Sequence, residues 1–490
     1  MKRYLSAMLL QGVVVVLSFA ASGAGASVTV SSQPTKHMSC SAGVCSPTRK
    51  GAVLNVTDLA SMLASGDVTL TSGSLAQDIE IKAALSWVSS SHLTLDAYSS
   101  LVFDKPVIVA GTGGLTITTN DGGSGGDFRF FGKGHVECWD RDNDLTINGQ
   151  QYALVKSVRQ ITGEIHHSGF PLALARSFSA KKQTYDRSPI PLLQVGFEGL
   201  GNTISNVTIT DSTFSDNVGF FGDFLPNDPA ASIRDVNLVD ANVTGTANEQ
   251  SVGVLVGYSQ GFVRYASVAG QVSATGPNSF VGGMAGINGI ATEKSSSSAS
   301  VFASNGATAG GLVGMHVSSC DRVCYGLIDQ SYATGSVTVA DAEMAGGLVG
   351  QNLGGPITNS YATGSVTGGN GAFVGGLIGS NLDNANGHSN PTIVSSYSTG
   401  SISGGSGADV GGLIGQDLAQ TGTTNAYWDV DTSGINDLSR GAGNVANDPG
   451  IAGLTTAQFQ SGLPAGFNAS LWNEKNTING GLPYLLSGFP

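Results

Sequence analysis

A six-residue, glycine-rich phrase that keeps returning is the strongest constraint on this chain. VGGLIG occupies Val374 to Gly379 and Val410 to Gly415, and AGGLVG occupies Ala309 to Gly314 and Ala345 to Gly350. Looser copies, VGVLVG and VGGMAG, start at Val252 and Val281. Successive starts lie 29, 28, 36, 29 and 36 residues apart. That spacing implies a unit of 28 or 29 residues which twice admits an insertion of about seven. One insertion carries Cys320 and Cys324; the other is the polar stretch Asp383 to Asn390. Extra residues confined to one point of a period fall on one face of a stack of units.

Each unit has a second signature: Ser331-Tyr-Ala-Thr-Gly-Ser-Val-Thr338, Ser360 to Thr367, and Ser396 to Ser403. In the middle copy Ala362, Gly364 and Val366 share one face while Tyr361, Thr363, Ser365 and Thr367 share the other. A period of two with β-branched residues between glycines means strand. Two or three short strands per unit make one coil, which buries its apolar face only by stacking on the next coil through parallel ladders. The fold expected is therefore all-β, a parallel β-helix. Leu and Val are adjacent in GGLVG, so the pattern leaves open which of them points inward.

The rest of the chain is organised around that stack. Residues 1–26 read as a secretory signal peptide: Met1, Lys2 and Arg3, an apolar run from Ala7 to Ala20, and an A-x-A site at Ala24 to Ala26. The run is shorter than the roughly 20 apolar residues that span a bilayer. No later stretch is long and apolar enough, so no membrane span is expected in the mature chain. Residues 27–50 read as a linker. Residues 51–200 read as an N-terminal β-helical region with an irregular excursion near 160–191, residues 201–425 as the repeats, and residues 426–490 as a non-repeat C-terminal cap. Solenoid ends need such caps.

Composition narrows the partners. Net charge is −13 and charged residues make up 12% of the chain, which excludes nucleic acid and anionic membrane as partners. Export makes disulfides available to the close pairs Cys40/Cys45 and Cys320/Cys324. A zinc site at Cys320 and Cys324 would need two more ligands, and His316 is the only one nearby. Cys138 is left over and reads as a small buried hydrophobe.

No candidate for chemistry assembles a full constellation, and the chain is read as a non-enzyme without cofactor or metal. Asp140, Asp142 and Asp144 have the spacing of a calcium loop, but Leu145 stands where glycine is needed and Gln151 where glutamate is. Asp429 and Asp431 lack a third group. GGxGxD at Gly122 to Asp127 and Gly404 to Asp409 lacks the tandem copies of a calcium roll. Gly257-Tyr-Ser259-Gln-Gly261 matches a nucleophile elbow in letters, without a helical period behind it. His166 and His167, and the basic residues from Lys156 to Arg187, read as solvated surface. What remains is a stripe. Tyr332, Tyr361 and Tyr397, with Tyr427 at the same place, would stack about 4.8 Å apart as an aromatic track on the outer surface. By offset, Val268 and Ser297 hold that place in earlier units. These tyrosines are the candidate ligand-binding residues, beside a purely structural ladder as the alternative.

The GGLVG and SYATGSV phrases resemble the GLUG motif of filamentous-haemagglutinin-like bacterial exoproteins. Leu85 to Trp87 with Leu93 to Ala97, Asn148 to Leu154, Gly196 to Ile204, Ala426 to Gly434 and Trp472 to Leu486 are similar to segments around such repeats. The resemblance covers about residues 75–490. It implies a right-handed β-helix and an adhesive role against a glycan or protein ligand, outside the cell or on its outer surface, with the periplasm as the alternative. It also implies an outer-membrane secretion partner, although the secretion domain of long relatives is not recognisable between Ala26 and Asp78. GLUG repeats also accompany some metallopeptidases, but no HExxH occurs here. The rival readings are a polysaccharide-active β-helix enzyme and a passive stalk. Two or more carboxylates, or a carboxylate with an arginine or lysine, converging in one cleft would favour the enzyme.

Overall fold

The computed structural model describes residues 26–487 except 141, 166–168, 182, 321–323, 342 and 384–390, and leaves the side chains of residues 319, 320, 324 and 325 undescribed. The leader assignment and the His166–His167 pair therefore lie outside the described residues. No helix among those described is long and apolar enough to cross a membrane.

One repeat makes one coil of a parallel β-helix. In the coil that begins at Leu327, strands run over Leu327–Asp329, Tyr332–Ala333, Val337–Val339, Met344–Gly346 and Val349–Leu353. Each pairs in parallel with its counterpart 29 residues on: Ile328 with Ile357, Tyr332 with Tyr361, Val337 with Val366, Ala345 with Val374 and Gln351 with Ser380. The first three strands of every coil share a 24-stranded sheet, and the other two join sheets of seven and eight.

The glycines of the repeated phrase set the cross-section. The chain bends between the two glycine-flanked strands, so the side chains on both sides of the bend turn inward. Leu348 and Val349 are both fully buried, which resolves the choice the sequence left open. At the bend, backbone packs on backbone. A Cβ on Gly346 would stand 1.9 Å from the Val349 carbonyl oxygen and 2.6 Å from the Gly379 nitrogen of the next coil. A Cβ on Gly347 would stand 2.8 Å from the Ala362 methyl. The two signatures of the unit therefore face each other across a thin core, and neither residue can grow alone.

A polar column runs inside the same wall. Ser259, Asn288, His316, Asn352, Asn381 and Asp417 stand on successive rungs, each fully buried. Asn288 Nδ2 donates to His316 Nδ1 at 3.0 Å, Asn352 Nδ2 to Asn381 Oδ1 at 2.9 Å, and Asn381 Nδ2 to Asp417 Oδ1 at 3.1 Å. These bonds satisfy part of the buried amides' demand, while Asn288 Oδ1, His316 Nε2 and Asp417 Oδ2 are buried without a hydrogen-bond partner.

Both insertions leave the coil at one corner, after the strands Val313–Val317 and Ile378–Leu382. The first forms an antiparallel hairpin in which Cys320 pairs with Cys324, and the coil resumes in register as Ala291 pairs with Leu327. The expected Cys320–Cys324 disulfide rests on side chains outside the described set. Cys40 and Cys45 are joined by a disulfide across a second hairpin.

Two boundaries need correction. Residues 27–50 are no linker: Ser27–Ser31 pairs with Asp78–Ile81, and Val28 and Val30 are fully buried. Their alternation, with only two apolar residues, is too short to stand out from a Ser/Thr-rich segment. Within 160–191 the excursion is a helix over Val158–Ile165, after which Leu172–Leu174 and Ile190–Leu193 return to the sheets. The N-terminal stack has sheets of five, seven and three strands. It continues into the repeats through backbone bonds from Val136 N to the Leu200 oxygen and from Cys138 N to the Ala175 oxygen.

Candidate ligand-binding groove

The tyrosine column exists, but most of it is covered. Tyr332 and Tyr361 stack with ring centres 4.8 Å apart and planes 2° apart, and Tyr361 and Tyr397 at 5.0 Å and 3°. The C-terminal tail folds back over these rings, bringing Phe459, Phe467, Trp472 and Leu485 onto them. Tyr397 OH donates to the Pro483 oxygen at 2.5 Å and accepts from Asn479 Nδ2 at 2.9 Å. Trp472 Nε1 donates to Asn359 Oδ1 at 3.3 Å. Tyr361 and Tyr397 are fully buried, which corrects the expectation of an open aromatic track. Only Tyr332, half-buried, lies at the margin of the tail. The earlier equivalents also shift by one, to Ser296 and Ser267 rather than Ser297 and Val268. The turn after the polar column is one residue shorter in those coils: three residues separate Ser259 from Val263, and four separate Asn352 from Ile357.

Beyond the tail the same column opens into a groove of about 320 Å³, lined by Ser487 of the tail and by Arg129 and Phe130 of the strand Phe128–Phe130. Two of its walls come from a corner that the chain turns in the left-handed conformation on every rung: Tyr265 (φ 51°), Lys294 (φ 50°), Gln330 (φ 50°) and Asn359 (φ 45°). Small polar residues are the usual occupants of such corners; here two successive rungs carry a large aromatic and a cation. Lys294 Nζ donates to Tyr265 OH at 2.9 Å. The Tyr265 ring also has the guanidinium of Arg234 at 5.2 Å and that of Arg129 at 6.0 Å, within cation–π reach.

Behind the groove lies a charge cluster that sequence reading missed. Glu198, Arg234, Arg264 and Glu293 occupy one column of successive rungs. Arg234 Nε lies 2.6 Å from Asp235 Oδ2 and 3.4 Å from Glu198 Oε2, and its Nη2 is 3.2 Å from Asp127 Oδ1. Asp127 comes from the N-terminal stack, so the cluster ties the two stacks together. Burial raises Glu198 well above the usual carboxylate range, reinforced by Asp235. Burial likewise raises Asp235 to about 6, against the pull of Arg234. Three carboxyl groups thus share one guanidinium in a nearly closed site. Asp235 lines the groove, whereas Glu198 faces a second cavity of about 380 Å³ beside Tyr152. Asp235 thus shares the first cavity with Arg129 and Lys294, and Glu198 shares the second with Arg234.

The remaining candidates have structural partners. Asn143 Nδ2 donates to the carbonyls of Gly111 and Gly113 at 2.7 Å, and Asp140 Oδ1 accepts from Asp142 N, which makes the acidic run a turn. Asp429 caps a short helix and accepts from Thr456 Oγ1 at 2.7 Å. Ser259 is sealed in the polar column and donates to the Gly261 carbonyl. Burial pushes the Cys138 thiol up to about 12. Among the described residues no three His, Cys, Asp or Glu side chains form a metal-binding group.

A parallel β-helix built on glycine-rich coils, with one cationic-aromatic groove beside its tail, is thus the class that fold and site define. Residues 341–367 match the family model described as the GLUG motif. A stretch of 101 residues, 20% of this chain, is 38% identical to Halomucin of Haloquadratum walsbyi, and the match spans only 1% of that much longer protein. A solved structure of a Bacteroides ovatus protein, described as a candidate immunoglobulin A1 protease, superposes with a TM-score of 0.45 at 16% identity. That match covers 69% of this chain and 93% of the other.

Proposed function

We propose that this chain is an exported binding rod, surface-associated or secreted, that holds a glycan or matrix ligand in the groove beside Tyr265 and Lys294 and does not transform it. The observation that carries the reading is the groove itself: cations and aromatic rings gathered at one place on a rod of net charge −13. The export-like leader sequence, the GLUG motif and the likeness to Halomucin support a surface or secreted setting. The resemblance to filamentous-haemagglutinin-like adhesins, with an outer-membrane transporter as secretion partner, belongs to the same reading. Aromatic side chains lose little entropy on binding and bury large areas, so Tyr265 and Tyr332 are the natural anchors. Probing a glycan and matrix-protein array with the purified chain and its Tyr265→Ala variant tests the proposal. A ligand retained by the parent and lost by the variant supports it; an array with no ligand refutes it.

One observation favours a polysaccharide-cleaving enzyme instead. Asp235, raised to about 6 by burial against the pull of Arg234, stands in the same groove as the Tyr265–Lys294 pair. Release of new reducing or unsaturated sugar ends from array-positive polysaccharides, abolished in Asp235→Asn, would establish that reading over the binding one.

A further inference from the structure

The lining of the groove specifies its ligand more narrowly than a glycan in general. Its charged side chains are Arg129, Lys294 and Asp235. Asp235 is already committed, since its Oδ2 accepts from Arg234 Nε at 2.6 Å. The cations have donors to spare, although the charge of Arg129 also acts on Asp235. Arg129 Nε is buried without a hydrogen-bond partner, and a buried unpaired donor is costly unless something fills it. Lys294 has three ammonium donors, and Tyr265 OH takes one of them. The groove thus presents spare N–H donors and spare positive charge, in a chain whose overall charge repels polyanions elsewhere.

The shape is equally selective. The floor is a row of outward side chains, Asn237, Ser267 and Ser296, on three successive rungs. At about 4.8 Å per rung that row runs roughly 10–15 Å. Ser267 Oγ donates to Asn237 Oδ1 at 2.6 Å, so the floor is polar and hydrogen-bonded. The walls are the rings of Tyr265 and Tyr332. Hydroxyl-rich edges below and flat apolar faces beside them match a sugar, which has both. The far wall is rigid: a Cβ on Gly134 would stand 1.7 Å from the Phe103 carbonyl oxygen, and Phe131 N donates to that oxygen at 2.9 Å.

We propose, resting on the binding reading above, that the groove is a site for an acidic saccharide, with Arg129 and Lys294 on the carboxylate of a uronate- or sialate-type sugar and Tyr265 and Tyr332 against its ring. The planar fork of an arginine suits a carboxylate, and the floor takes the neighbouring sugar hydroxyls.

The test is calorimetric titration of the full chain with a carboxylated set (trigalacturonate, sialyllactose and a hyaluronan tetrasaccharide). The comparison ligands are methyl-esterified trigalacturonate, lactose and sulfated lactose. Lys294→Gln is a conservative probe, because Gln330 holds the same left-handed corner one rung on; Arg129→Gln is the second. At least one carboxylated ligand should bind at least tenfold more tightly than its uncharged counterpart. Each variant should weaken it about tenfold while leaving the circular-dichroism spectrum unchanged, and added salt should weaken it further. Equal binding of lactose, lost in Tyr265→Ala, would overturn the acidic-sugar assignment and leave the binding rod standing. A preference for sulfated lactose would overturn the carboxylate. Silence from the whole carboxylated set, or binding untouched by both variants, would also overturn it; an array silent to every glycan and protein refutes the rod itself.

Discussion

His316 is the one ionisable rung between two amides in the polar column, and replacing it with asparagine should remove a specific acid sensitivity. Burial holds the imidazole at about 4, against an ordinary 6.5. Asn288 Nδ2 donates to Nδ1, so the ring proton sits on Nε2 and the neutral ring is the form the fold accepts. Folded His316 therefore binds a proton less readily than unfolded His316. Its contribution is fully present above pH 6.5 and declines as the pH falls towards 4. The fall from 6.5 to about 4 corresponds to about 2 kcal/mol lost by pH 5 and about 3 kcal/mol by pH 4. His316→Asn leaves a smaller side chain beside Gly355, whose Cβ position the ring now blocks at 2.2 Å. At pH 7 the variant should be less stable by about 1–3 kcal/mol. The informative quantity is how that gap changes, because carboxylate titrations elsewhere are common to both proteins and cancel. Urea unfolding at pH 7, 5 and 4 should show the gap closing or reversing by about 3 kcal/mol. A gap constant to within about 0.5 kcal/mol would show that His316 is not held neutral by the column.

Gly346→Ala should destabilise the rod by about 3 kcal/mol or more, because the new methyl meets two backbones at once, whereas Gly66→Ala, with nothing within 4 Å of its Cβ, should change little; paired urea melts decide. Trp472→Ala should release the tail while the coils stay folded, seen as protease cleavage between residues 455 and 487 without loss of the β signal in circular dichroism. Trp472 is 1% exposed on the tyrosine ladder, and truncating such a side chain costs about 3–5 kcal/mol. Asp448, pushed up to about 7 by burial and by Asp417, favours the protonated form in the fold. Its contribution is full below about pH 4 and falls as the pH rises to about 7, so Asp448→Asn should flatten that decline in a stability-versus-pH series.

The architecture was legible because a solenoid writes its period into its glycines. GGLVG needs glycines where strands of neighbouring coils touch, and the second signature needs a small residue opposite them, Ala333 and Ala362 or Ser297 and Ser398; both constraints recur from rung to rung. The two insertions were legible for the same reason, as departures from a fixed period. The N-terminal strands were not, because Val28 and Val30 alone carry the inward face of Ser27–Ser31. The tail over the tyrosine ladder was hidden as well. Trp472 and Phe459 lie some 60 to 110 residues from the rings they cover, and no periodicity links them.

The groove shows where repetition stops helping and starts to mislead. Counting a fixed offset from the glycines assigned Ser297 and Val268 to the tyrosine column, one residue away from the true Ser296 and Ser267. With that slip the corner residues are misread too, and Tyr265 and Lys294 vanish into neighbouring positions. Aligned on the corner instead, the series reads Asp235, Tyr265, Lys294, Gln330, Asn359, Ser395 and Asn425, every one with positive φ. A left-handed corner favours small polar side chains that bond their own backbone, and the later rungs obey. Tyr265 and Lys294 do not; nothing about the turn calls for an aromatic or an ammonium there. Both departures fall in the gap between the tail and the strand Phe128–Phe130, where the outer column is open. A rod can keep its coils on any corner residue that tolerates the turn, so residues costly to the turn and concentrated at this opening are better explained by what the opening holds than by the fold.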